Sequence, residues 1–106
     1  MNDGATKRKL LIIVYDRAVD EDLTETLKRL EIPGYTKLFD AHGFGGRGYK
    51  LGNPIFPGLN NILLIELPPE RVTAVVNAVR QMQAQYTLKP GITIWCIDVE
   101  AMESQA

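Results

Sequence analysis

The stretch Leu10-Leu-Ile-Ile-Val-Tyr15 is apolar at every position and rich in β-branched residues. Such a run is too short for an independent helix and predicts a strand that is buried on both faces. A second run of this kind, Asn61-Ile-Leu-Leu-Ile-Glu-Leu67, follows further along the chain. Both runs place apolar residues at consecutive positions, so both faces of the sheet to which they belong must be covered.

Two amphipathic helices are predicted, one after each of these strands. Over residues 19–30, Leu23, Leu27 and Leu30 fall at helical spacing and share one face. The second helix begins after Pro68-Pro69, since proline is tolerated in a first helical turn and not deeper. Its apolar stripe consists of Val72, Val75, Val76, Val79 and Met82.

Two further strands complete the pattern, one less apolar over residues 35–42 and one over residues 92–99. The order βαββαβ predicts an α+β fold, the ferredoxin-like sandwich, in which two helices cover one face of an antiparallel four-stranded sheet. We expect a single domain over residues 1–106, with flexible tails at 1–7 and 101–106.

The face of the sheet opposite the helices is also predicted to be apolar. An exposed face of this kind is larger than monomers usually tolerate. A second copy of the chain is the simplest cover, so we expect a homo-oligomer. The alternative is that the tails or the long loop fold over the sheet, but loop backbone is difficult to satisfy when it is buried.

Composition argues against several classes of protein. Twelve basic and thirteen acidic residues give a net charge of −1, which does not favour nucleic-acid binding. The single cysteine cannot form an intrachain disulfide and indicates a cytoplasmic protein. The longest apolar run is too short to enter and span a bilayer. No pattern typical of a catalytic dyad or triad is present, and we do not expect an enzyme.

The glycine-rich stretch Gly43-Phe-Gly-Gly-Arg-Gly48 has the spacing of a dinucleotide-binding fingerprint. That motif must open a helix, and here the following residues break helices, which excludes the Rossmann interpretation. Converging backbone N–H groups of glycines can still bind an anion, and Arg47 and Lys50 add positive charge. A mobile hairpin loop is the alternative interpretation.

Candidate metal ligands are few. His42 is the only histidine, and a lone histidine is more often a structural or surface residue than a ligand. Asp40 is predicted on the same strand face, so a site there would need a further ligand from another subunit. We therefore assign no metal site. Cys96 is expected to be a small buried hydrophobic residue.

At this point the chain resembles the nitrogen-regulatory PII superfamily, over about Lys9 to Glu100. Gly34-Tyr-Thr36 resembles the Gly-Met-Thr turn that starts the second strand of PII proteins. Gly43-Phe-Gly45 resembles the Gly-Phe-Gly that opens their long T-loop. Residues 51–61 look more like a divergent branch of small PII-like proteins than like the founding members.

The resemblance implies a trimeric signal-transduction protein whose intersubunit clefts bind a small effector, in the superfamily often an adenine nucleotide. The loop at residues 43–58 would dock a target such as a transporter or an enzyme. PII proteins carry a phosphate-gripping segment before the last strand, and only Thr87, Lys89 and Gly91 echo it here. The predicted effector-binding residues are Thr36, Gly43, Phe44, Gly45, Arg47, Lys50 and Lys89. No cofactor is assigned.

Two other hypotheses remain open. The related CutA proteins are trimers implicated in metal tolerance, and a CutA-like protein would bind metal near His42 and Asp40. The cysteine-containing and aromatic signature of CutA is not found in this sequence. The other hypothesis is a structural assembly module without a ligand.

Overall fold

Helices and strands alternate through residues 6–102, which the computed structural model describes. The elements are β1 (Thr6–Asp16), α1 (Asp20–Arg29), β2 (Thr36–Ala41), β3 (Gly43–Gly45), β4 (Gly48–Lys50), β5 (Asn60–Leu67), α2 (Val72–Ala84) and β6 (Ile92–Ala101). A short 3₁₀ turn precedes each helix, at Arg17–Val19 and at Pro69–Arg71.

Four of the strands form one antiparallel sheet in the order β2-β5-β1-β6. Strands β3 and β4 pair only with each other and form a separate hairpin, which we call the glycine hairpin. Both helices contribute buried side chains to a single core on one face of the four-stranded sheet. The prediction of an α+β, ferredoxin-like βαββαβ sandwich is therefore confirmed.

The core consists of alternate residues of the two central strands and the apolar stripes of the helices. Leu11 and Ile13 of β1 are fully buried and lie opposite Ile65 and Leu63 of β5. Each such side chain contributes roughly 1.5–3 kcal/mol by leaving water. From the helices the core receives Leu23, Leu27, Val75, Val79 and Met82.

The opposite face of the sheet carries the other set of alternate residues. Ile12 lies opposite both Leu64 and Trp95, so these three side chains share this face. Trp95 remains 60% exposed within the described part of the chain. We call this surface the open face; its apolar members are Leu10, Ile12, Val14, Leu38, Ile62, Leu64, Trp95 and Ile97.

The terminal strands are longer than predicted, and the predicted tails are corrected at their inner ends. Thr6 already pairs with Ala101, so β1 and β6 include positions assigned to the tails. The charged residues before Leu10 obscured the start of β1, because two of them form ion pairs across the sheet: Arg8 with Glu66 and Lys9 with Asp98. The tail positions 1–5 and 103–106 lie outside the described residues.

Candidate functional site

An open cleft of about 470 Å³ lies where the glycine hairpin joins the sheet. We call it the hairpin cleft. Its walls come from the end of β1, from the hairpin, and from the starts of β5 and β6. The lining residues are Val14, His42, Gly43, Phe44, Gly45, Gly46, Arg47, Gly48, Lys50, Asn60, Gly91 and Thr93, and none of them is acidic.

Glycines let the hairpin form and approach the sheet. In the hairpin, Gly45 pairs with Gly48, whose φ of +87° lies in the left-handed region that glycine adopts without strain. A Cβ on Gly43 would lie 3.0 Å from Nδ2 of Asn60, so the chain passes close to β5 at this point. A strand of glycines here exposes backbone N–H groups that larger side chains would cover.

Two cationic side chains border the same cleft. Arg47 lies against Gly91, where an added Cβ would stand 3.2 Å from the arginine Nε. Lys50 Nζ lies 2.6 Å from Oδ2 of Asp16, in a pair that is largely shielded from solvent. Glycine N–H groups, a guanidinium and an ammonium together suit an anion with several oxygen atoms.

Asp16 connects three of the segments around the hairpin cleft. Besides binding Lys50, its carboxylate accepts a hydrogen bond of 2.8 Å from the backbone N–H of Ala18, and its own N–H donates to the carbonyl of Gly91. Partial burial acts to raise the pKa of Asp16. The hydrogen bonds from Lys50 and Ala18, with the field of Arg47, outweigh that effect and hold the pKa below its ordinary value.

A polar network beneath the cleft ties β1 and β5 to α1. The Tyr15 hydroxyl donates to Oδ1 of Asp20 at 2.5 Å, and Nδ2 of Asn61 donates to the same oxygen at 3.1 Å. Burial, aided by this bond to Asp20, raises the pKa of Tyr15 far above its ordinary range. Asp20 is partly buried, but hydrogen bonds from Lys37, Tyr15 and Asn61 keep its pKa below the ordinary value.

A bulge in β2 precedes the hairpin and overturns one expectation. Asp40 has a φ of +62°, accepts a 2.9 Å hydrogen bond from Arg17 and is held by Asn61 through its backbone N–H. The pairing of β2 with β5 shifts register here, so the alternation that placed Asp40 and His42 on one strand face is wrong.

The structure does not assemble a metal cluster in the part of the chain that it describes. No group of three or more His, Cys, Asp or Glu side chains is arranged to hold an ion within residues 6–102. Cys96 is exposed, and the expectation that it is buried is wrong, because β6 is an edge strand. No helix among these residues is long and apolar enough to cross a membrane.

Most of the predicted effector-binding residues meet at the hairpin cleft. Its lining includes Gly43, Phe44, Gly45, Arg47 and Lys50. Two predicted residues lie outside it: Thr36 is opposite Leu64 on the open face, and Lys89 is in the segment before β6.

Asn60 and Asp16 are contributions to this region that the sequence prediction missed. The sequence alone assigns Asp16 to the N-terminus of the first helix, and only the fold reveals its contact with Lys50. A usable signal for Asn60 was its place at the start of an apolar strand.

A second cleft, of about 480 Å³, lies at the other end of β1 and β6. It is lined by Lys7, Arg8, Lys9, Pro69, Asp98, Val99 and Glu100. Here Asp98 already pairs with Lys9, and Glu66 pairs with Arg8, so carboxylates offset much of the positive charge. The hairpin cleft, whose lining is free of acids, is the better candidate for binding an anion.

Comparison with protein families gives a match to the model described as nitrogen regulatory protein P-II, over residues 8–104. No curated protein matches the chain by sequence.

Solved structures share the fold. CPII, a nitrogen regulatory PII-like protein from Thiomonas intermedia K12, was solved bound to ADP, AMP and bicarbonate. It is similar with a TM-score of 0.77 and 19% identity, over 93% of this chain and 92% of CPII. A DUF3240 family protein from Shewanella baltica OS155 gives 0.71 and 17%, over 93% and 97% of the two chains. A candidate PII-like signaling protein from Thermus thermophilus gives 0.64 and 25%, over 92% and 91%.

Proposed function

The chain belongs to the nitrogen regulatory P-II protein family, and on this basis we propose that it is a trimeric PII-like regulator. In this proposal a phosphate-bearing effector binds in the hairpin cleft, and the loop at residues 43–58 docks a target protein. The family is regulatory, and we propose a signalling role and no catalytic reaction. The single cysteine supports a location in the cytoplasm.

The composition of the hairpin cleft carries the proposal for the effector. Backbone N–H groups of successive glycines and the cations of Arg47 and Lys50 meet there, with no acidic residue in the lining. Phosphate oxygens are bound in this way, by several N–H donors and a nearby positive charge. CPII has the same fold and was solved with ADP and AMP, so we propose an adenine nucleotide as the effector.

The open face supports the trimer. A single chain leaves Trp95, Ile97 and Leu38 about half exposed on a surface that is apolar across all four strands. Neighbouring copies would remove this area from water. Thr36 lies on the open face and Lys89 lies outside the hairpin cleft, so we propose that a neighbouring subunit brings them to the effector.

Exposed aromatic side chains on the loop at residues 43–58 support target docking. The rings of Phe44 and Tyr49 are 4.5 Å apart, and Tyr49 and Phe56 are 5.3 Å apart. Phe44 is nevertheless 73% exposed, and the neighbouring Ile55 is 78% exposed. An apolar, prestacked cluster of this kind is suited to a pocket on a transporter or an enzyme.

Isothermal titration calorimetry with ADP, AMP and ATP tests the effector proposal. We expect at least one nucleotide to bind, and Arg47→Gln to weaken it about tenfold or more, because a charge-assisted contact to phosphate is lost. Arg8→Gln is the matched control, since Arg8 pairs with Glu66 at the other end of the sheet and should leave binding unchanged. The absence of binding heat for every nucleotide would refute the proposal.

A further inference from the structure

We infer that Asp16 competes with the effector phosphate for Lys50 and thereby sets which anions the hairpin cleft accepts. Asp16 is not among the residues that line the cleft, yet it binds one of the two cations that border it. A phosphate that uses Lys50 must therefore replace a carboxylate. This inference rests on the proposed function, and it adds a specificity-determining residue to it.

The Lys50–Asp16 pair has the geometry of a strong contact. The ammonium lies 2.6 Å from the carboxylate oxygen, and the two side chains are only 14% and 31% exposed. Partial burial reduces screening by water and salt, so the pair holds its charges more firmly than an exposed pair would. Hydrogen bonds to the carboxylate also keep the pKa of Asp16 low despite its burial, and Asp16 remains charged at neutral pH.

Of the two partners, Lys50 is the one free to move. The other carboxylate oxygen of Asp16 binds the N–H of Ala18, and the Asp16 backbone bonds to Gly91. Lys50 carries its charge on a flexible four-carbon stem at the end of β4. When phosphate replaces the carboxylate, the change is thus expected in Lys50 and the glycine hairpin, while the end of β1 stays in place.

The competition favours highly charged ligands. A monoanion such as acetate offers Lys50 only what Asp16 already provides, and it also meets the repulsion of the displaced carboxylate. A phosphoryl group carries about −1.5 to −2 charges and three acceptor oxygens. It can engage Lys50, Arg47 and glycine N–H groups together, which a single carboxylate cannot. The hairpin cleft should therefore select phosphates over carboxylates.

Asp16→Asn separates this competition from the structural role of the side chain. The amide oxygen of asparagine can still accept the hydrogen bond from Ala18, while the charge that holds Lys50 is removed. Asp98→Asn is the matched control, because Asp98 also pairs with a lysine but lies at the other end of the sheet. Circular dichroism and thermal melting should show that both variants fold.

Pyrophosphate and acetate are the probes, titrated by calorimetry into the full chain. We expect Asp16→Asn to bind pyrophosphate about five- to tenfold more tightly, the value of one ion pair. Acetate binding should become measurable in this variant, and Asp98→Asn should behave as the wild type. In a Lys50→Gln background the added effect of Asp16→Asn should shrink to about twofold or less, since the contested cation is gone.

The outcomes separate this inference from the proposed function. If the wild type binds pyrophosphate and Asp16→Asn binds it equally or more weakly, the inference is wrong and the proposed function stands. If only Asp16→Asn binds, the competition is supported and the wild-type effector must be stronger than pyrophosphate. If no form binds pyrophosphate, both proposals fail.

Discussion

Trp95→Ala should weaken the trimer strongly while leaving the subunit folded. Trp95 lies in the middle of the open face, opposite Ile12, and is 60% exposed in the single chain. A tryptophan side chain can bury up to about 250 Å², so about 150 Å² remains for a neighbouring subunit to cover. At about 25 cal/mol per Å², complete burial of that area is worth about 4 kcal/mol.

We expect a loss of about 2–4 kcal/mol per interface, since alanine keeps part of the contact and neighbours repack. This corresponds to an increase of about 30- to 700-fold in the dissociation constant of each interface. Sedimentation velocity over a wide range of protein concentrations measures the change directly. Trimers should persist in the wild type at concentrations where the variant is largely dissociated.

Leu88→Ala is the control for this experiment. Leu88 is 86% exposed but lies in the segment before β6, away from the open face. Its removal should leave sedimentation unchanged. The reasoning would be refuted if Trp95→Ala and Leu88→Ala both sedimented as the wild type at every concentration, because Trp95 would then be exposed in the assembly as well.

Three further predictions concern the network and the hairpin beneath the cleft. Tyr15→Phe should lower the free energy of unfolding in urea by about 1.5–3 kcal/mol, because a hydrogen bond to a charged group is lost in the core; an unchanged midpoint would contradict this. The pKa values of Asp16 and Asp20 lie below the ordinary 3.8, since hydrogen bonds outweigh burial. Their contribution to stability is therefore full above that pH and lost as the pH falls through the lowered values, which melting curves between neutral and strongly acidic pH would show. Gly48→Ala should destabilise the hairpin by about 1–2 kcal/mol, because its φ is +87°. Gly46→Ala should have little effect, since no atom stands within 4 Å of an added Cβ; equal proteolysis of the hairpin in both variants would argue against the assignment.

The hydrophobic pattern made most of the fold predictable. Leu10 to Tyr15 indicated a strand buried on two sides, and the leucines of α1 marked the helical face that enters the core. The same pattern predicted the open face, because Ile12 and Ile13 cannot both face the helices. Such inferences work because burial depends on the spacing of apolar residues along an element.

Features that depend on contacts between distant residues were less accessible. The left-handed Asp40 is fixed by Arg17 and Asn61 in the folded chain, and no glycine marks that position. Asp16 and Lys50 are 34 residues apart, so the sequence could show two charges but not their contact. For the hairpin cleft, the glycines and cations were predictable and the competing carboxylate was not.

Nuclear magnetic resonance of the isotopically labelled protein, titrated with ADP, tests the central claim most directly. Binding in the hairpin cleft should shift the backbone amide signals of Gly43, Phe44, Gly45 and Gly91 most, in proportion to the nucleotide bound. Signals at the other end of the sheet, such as those of Lys7 and Glu100, should stay in place. Saturable shifts confined to that far end, or no shifts at millimolar ADP, would contradict the account.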